Sequence, residues 1–96
     1  MPTAERRALH RRIAEVMDEG PERARHLAAA SDRPDEAIAA ALDLAAASAA
    51  ALGASIEAAD LRDMALRLTP TDRSATAGRR RLALAEALFT AGDTGR

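Results

Sequence analysis

GASIEAADLRDMALRLTP, running from Gly53 to Pro70, is the stretch from which the rest of the chain can be read. A glycine opens it, alanine stands at 58 and 65, and Thr69-Pro70 closes it. Leu61, Met64, Ala65 and Leu68 recur at helical spacing on one face, while Glu57, Asp60, Asp63 and Arg67 fall mostly outside that face. Thr69 precedes a proline and is pushed out of the helical region, so the helix is expected to stop there. Ser55 is the expected N-cap, and Asp63 and Arg67 are ordered for an i,i+4 pair. The stretch reads as the second helix of a helical hairpin.

Working outward, the segment before Gly53 supplies the first helix of that hairpin. It is expected to begin at Pro34, with Asp35 and Glu36 in a first turn that favours negative charge, and to run to about Leu52. Ile38, Ala41, Leu42, Ala45, Ala49 and Leu52 form its inner stripe. Further upstream, a helix over Thr3 to Asp18 carries Leu9, Ile13, Val16 and Met17 on its apolar side, with Thr3 as N-cap and Gly20 as stop. Pro21 starts a short second helix, PERARHLAAAS, with Ala24, Leu27 and Ala28 facing inward. Downstream of the polar connector TDRSAT, a fifth helix to about Ala91 is expected to bury Leu84, Ala85, Leu88 and Phe89 and to end at Gly92-Asp93. No alternating apolar run appears, and β-branched and aromatic residues are few, so the fold is expected to be all-α with about five antiparallel helices.

Composition sets the limits of this fold. The apolar residues comprise 27 Ala, 11 Leu, three Ile, three Met, one Val and one Phe, so helices form readily but the core between them is thin. At 96 residues such a chain has little stability to spare. With no cysteine, disulfides and thiolate metal sites are excluded. The opening MPTAERRALHRR has no apolar signal region, and the apolar run from Ala37 to Leu52 is short and interrupted by Asp43, which makes it a buried helix rather than a span. The cytoplasm is the default compartment. The net charge of −1 is spread without a basic stripe of the kind a nucleic-acid face presents.

Setting Gly53 against Gly92 places Ala45 on Leu84, Ala46 on Ala85 and Ala49 on Leu88. With alanines at 58 and 65 and the closing Pro70, residues 39–72 resemble a tetratricopeptide repeat, followed by the first half of a second unit. The large aromatic positions of the first repeat helix are filled here by leucine and alanine, and the connector after Pro70 is long for a regular array. Other paired-helix solenoids therefore stay open. Residues 1–33 are then an N-terminal helical pair, 34–72 a TPR-like hairpin, and 73–96 the first helix of an incomplete repeat with a short tail. A repeat unit cannot bury its apolar face alone, so Leu84, Leu88 and Phe89 form the candidate interaction face, and GDTGR is not a polar cap.

RRALHRRIAEVM, then PERARHLAAA, then PDEAIAAALDLAAASAAALGA resemble, in that order, the region that follows the nucleotide-binding and winged-helix part of large ATP-dependent LuxR-type regulators. The resemblance covers about residues 6 to 93. It implies a piece of the helical-repeat sensor arm of a multidomain transcription regulator. Neither ATP hydrolysis nor operator binding transfers with it. The phosphate loop G-x-x-x-x-G-K-[ST] is absent from a chain without lysine, and so are the terminal DNA-reading helices.

The residues offer little for catalysis. His10 and His26, sixteen apart and without cysteine, have no recognised ligand spacing and read as helix-face histidines. Serines 31, 48, 55 and 74 lack a nucleophile elbow, and Asp60 with Asp63 reads as a solvated face. Arg6-Arg7, Arg11-Arg12 and Arg79-Arg80-Arg81 read as salt-bridged surface, the first two balanced by Glu5, Glu15, Asp18 and Glu19. The expectation is a non-catalytic protein-interaction segment with no cofactor or metal. Its partner is either the remainder of a longer regulator or, for a free-standing adaptor, a second copy of itself. A groove beside the third and fourth helices is a further candidate surface. A small DNA-binding protein ranks behind both readings.

Overall fold

The computed structural model describes residues 2–18 and 20–94, with side chains to residue 92. Among these the protein is all-α: α1 (Thr3–Val16), α2 (Pro21–Ala30), α3 (Glu36–Ala51), α4 (Ser55–Arg67) and α5 (Ser74–Thr94). Each helix packs on its successor, and α2 also touches α4. The radius of gyration is 13.6 Å. A compact chain of this length is expected at about 12.5 Å, so the five helices pack closely.

The turn chemistry explains where α3 and α4 meet. Gly53 lies at φ 79°, its amide donates to the Ala50 carbonyl at 3.0 Å, and the Ala54 amide donates to Ala49 at 2.9 Å. This is the Schellman closure, which requires the left-handed conformation that glycine adopts without strain. The Asp35 amide, at the head of α3, donates to the Leu68 carbonyl at the foot of α4 over 2.8 Å. The hairpin is thereby closed at both ends, and α3 and α4 are antiparallel.

Several boundaries differ from the sequence expectation. Pro34 lies outside α3, and Asp35 is the cap, its Oδ1 accepting from the Ile38 amide at 3.2 Å. Aspartate is the better cap, so it displaces the proline from the first turn. Ser55 is the first residue of α4 and makes no cap bond, because the Ala54 carbonyl of the closing turn already starts the helix. Thr3 likewise lies inside α1, behind Pro2, and α1 ends at Val16. α5 runs through Gly92, where φ is not positive; without a left-handed residue there is no stop, only a weaker helix. Gly95, Arg96 and Glu19 lie outside the described residues.

The core is thin, as the composition requires. Ala24, Leu42, Ala45, Ala46, Ala49, Ala58, Leu61 and Ala65 form one buried cluster that joins α2, α3 and α4. Leu42 and Leu61 are the largest fully buried side chains. Alanines at 45, 46, 49, 58 and 65 let the helices of the hairpin come close, so the two leucines carry much of the apolar burial. Three expected inner residues are outside: Leu9 is 38%, Val16 85% and Leu52 87% exposed. Val16 and Leu52 sit at the ends of their helices, where the turn leads the chain away from the neighbour.

Leu42→Ala and Leu61→Ala are each expected to lower unfolding free energy by about 2–5 kcal/mol, a large share of what a domain this small holds. Leu52→Ala should stay within about 0.5 kcal/mol. Urea unfolding followed by helix ellipticity measures all three, and equal costs at 42, 52 and 61 would contradict this core.

Candidate functional site

α3 carries Glu36 at its first position and Asp43 two turns later, which places both carboxylates on one face. Arg80, two turns into α5, is aimed at them. Its Nη1 and Nη2 donate to the two Glu36 oxygens, each at 2.8 Å, and its Nε donates to Asp43 Oδ2 at 2.7 Å. Nη1 also donates to Thr69 Oγ1 at 2.9 Å, and the Thr69 hydroxyl in turn donates to the Ala65 carbonyl at 2.8 Å. The other oxygen of Asp43 accepts from Arg62 of α4 at 3.2 Å. Arg80 is only 6% exposed, although no Cα of α3 lies within 8 Å of one in α5. The long side chain crosses that gap.

The electrostatics follow from the geometry. The hydrogen bonds from Arg80 hold the Glu36 carboxyl below its ordinary value of 4.5, against the opposing effect of burial, and the charges of Arg80, Arg73 and Arg79 act in the same direction. Hydrogen bonding to Glu36 raises Arg80 further above the normal arginine range, outweighing its desolvation, so it is charged at every accessible pH. An enclosed ion pair adds little net stability over apolar packing, whereas removing one member typically costs about 3–5 kcal/mol. Its main effect is orientation.

That orientation decides which side of α5 is covered. The side of α5 that carries Arg80 also carries Ala83, Leu84, Ala87 and Ala91, which are partly buried, and leaves Leu82, Leu88 and Phe89 outside. Leu82 is 62%, Leu88 55% and Phe89 73% exposed. The expectation that Ala85, Leu88 and Phe89 are buried is therefore wrong; the inward side is the one that carries Arg80 and its ion pairs and packs on α4. Of the candidate interaction residues Leu84, Leu88 and Phe89, the structure keeps the last two at the surface, tucks Leu84 partly inward and adds Leu82, seven residues from Phe89 on the same side.

Concavities flank both helices of the hairpin: one of about 430 Å³ between α3, α4 and α5 is lined by Glu36, Asp43, Arg62 and Arg80 among others, and a second lies between α3 and α2. The second is a concavity of about 320 Å³ lined by Arg23, Ala24, Ala41, Leu44, Ala45 and Ser48 with Gly20. His10 of α1 and His26 of α2, which sequence spacing leaves unrelated, meet with their Nδ1 atoms 2.7 Å apart. Among the described residues no group of three or more His, Asp or Glu is placed to hold a metal ion. The Arg67–Asp63 pair forms as its spacing predicts. Arg7 pairs with Asp32 at 3.9 Å, so the basic start of α1 is balanced partly from the α2–α3 connector.

The Arg80 network is the feature that reading the arginine triplet as surface misses. The signal was present in Asp43: one acid inside an otherwise apolar helix needs a cation, and the search for it leads to an arginine elsewhere in the chain. Compared with protein-family models, curated proteins and solved structures, the chain shows no significant match to any of them.

Because the Glu36 carboxyl is depressed in the folded state, its stabilising contribution is complete above the unfolded value near 4.5 and is lost as pH falls through the lower folded value. The stability difference between the wild-type chain and Glu36→Gln should be largest near neutral pH and shrink progressively below about 4.5. Urea titrations from pH 7 to 3 measure it; a difference that stays constant over this range would contradict the pairing.

Proposed function

We propose that this chain is a non-catalytic helical-repeat interaction module, of the kind that makes up the sensor arm of ATP-dependent LuxR-type transcription regulators. The observation that carries the reading is the uncovered pair Leu82 and Phe89 on the outer side of α5, with Leu88 exposed on its flank, in the last described helix of a stack in which every helix packs on the one before it. Stacked repeats bury such a row against the next unit, so the partner is an amphipathic helix. The order of sequence blocks that resembles those regulators supports placing the module in such an arm, where the next helix belongs to the same regulator. The tetratricopeptide-like pairing of α3 with α4 around small residues belongs to this same reading.

The alternative partner is a second copy of the chain, meeting through the same row in a free-standing adaptor. Direct binding of DNA ranks below both. Arg80 is committed to Glu36 and Asp43, which splits the densest arginine cluster and leaves Arg79 and Arg81 as its exposed members.

Light scattering of the wild-type chain and of Leu88→Glu/Phe89→Glu separates the readings. The regulator-arm reading expects a monomer in both, with an unchanged helix signal, and a natural reading frame that joins the chain to a phosphate-loop domain. The adaptor expects a wild-type dimer that the substitutions dissociate. A dimer indifferent to them, or duplex binding that survives physiological salt, would overturn the interaction row.

A further inference from the structure

Among the described helices α5 packs on α4 alone, and its outer side carries a regular pattern. Ala75, Gly78, Leu82, Ala85, Phe89 and Gly92 recur at alternating steps of three and four residues, and all of them are exposed. That is the a/d seam of a heptad, with Ala75, Leu82 and Phe89 at one position and Gly78, Ala85 and Gly92 at the other. Glycine weakens a helix interior, and no described neighbour calls for it here: a Cβ added at Gly78 or Gly92 would meet no atom within 4 Å. Leu82 and Phe89 stand 62% and 73% exposed between these gaps. The seam therefore alternates projections with hollows.

This pattern complements itself when reversed. Pairing Leu82 with Ala85 of an antiparallel second helix sets Phe89 over the partner's Gly78 and Ala75 over the partner's Gly92. Each large side chain then meets a small one. A parallel pair would stack Phe89 on Phe89 and Gly78 on Gly78, forcing the helices apart at one layer and leaving a void at another. Charge agrees with the antiparallel register. Arg79, whose one bond among the described residues is to Thr76 Oγ1, lies across from the partner's Glu86, twice by symmetry. Arg81 lies across from the partner's Leu88, which its aliphatic stem covers. Opposite charges also meet in a parallel pair, Arg81 with Glu86, so it is size that sets the direction. We infer that the outer side of α5 is an antiparallel, two-fold symmetric docking seam whose occupant is a second copy of this chain. The two-fold axis crosses the seam between Leu82 and Ala85. With only two large side chains from each copy the seam is small, so the dilute chain is a monomer and pairing grows with concentration. The inference rests on reading this side of α5 as an interaction surface, and it fixes direction and register for the second-copy partner. A following helix joined to the chain would fill the same seam in its place.

The chain has no cysteine, which lets cross-linking read the register. Ala75→Cys and Gly92→Cys chains, mixed at high concentration and oxidised in a glutathione buffer, should give the mixed 75–92 disulfide in preference to either homodimer. Sedimentation equilibrium over a concentration series should show a monomer–dimer equilibrium for the wild type. Gly78→Leu is a better helix former that fills the hollow for Phe89; it should weaken association roughly tenfold or more with an undiminished helix signal. Glu86→Arg should weaken it too, and Arg79→Glu/Glu86→Arg should restore it. A wild type that stays monomeric at every concentration, preferential homodisulfides at 75 and 92, or no rescue by the double substitution would overturn the seam. Association that survives Gly78→Leu but not Leu82→Glu would overturn the register and leave the interaction surface standing. Association indifferent to Leu82→Glu would overturn both.

Discussion

The guanidinium of Arg80 makes four side-chain hydrogen bonds, three to the carboxylates of Glu36 and Asp43 and one to the Thr69 hydroxyl. It lies within α5, yet its partners belong to α3 and to the segment just after α4. Those partners fix more than a distance. Two oxygens of Glu36 receive a forked donor, which sets the plane of the guanidinium, and Asp43 receives Nε from the side. The rotation of α5 about its own axis is therefore constrained by a directional interaction, whereas alanine contacts along the helix tolerate sliding and turning.

This constraint matters because the apolar core is small. Buried alanines allow close approach but remove little surface from water, and among the described residues Leu42 and Leu61 are the only large side chains wholly enclosed. In a core of larger residues, shape alone would select one packing. Here the polar network supplies selectivity that alanine does not, at the cost of desolvating an arginine and parts of two carboxylates. The same choice leaves Leu82, Leu88 and Phe89 outward. An interaction row and a latch are thus two consequences of one helix orientation, which is why the proposed contact surface lies opposite the side that holds α5 to the protein.

Much of the backbone was legible in the sequence. Gly53 marks a true left-handed helix stop, Thr69-Pro70 ends α4, Pro21 opens α2, and the i,i+4 pair at 63 and 67 forms. These are local signals, complete within a few residues. The side chains that tie α5 to α3 were not legible, because Glu36, Asp43 and Arg80 are up to 44 residues apart and each looks ordinary in its own window. The apolar residues of α5 misled for the same reason: periodicity identifies a stripe but does not say which side a neighbouring helix will cover. Likewise Gly92 carries a stop signal in one dimension, yet glycine stops a helix only where the chain takes a positive φ, and there it does not. The histidines at 10 and 26 belong to the same class of contact, created by the antiparallel return of α2 along α1.

Native-state hydrogen exchange on the wild-type chain and on Arg80→Met tests the latch most directly, since it reads each helix separately. If Arg80 holds α5 in place, the substitution strips protection from the amides of α5 between residues 78 and 91, while those of α3 and α4 around Leu42 and Leu61 keep most of theirs. Unchanged protection in α5, or a loss spread evenly over all five helices, would contradict the account.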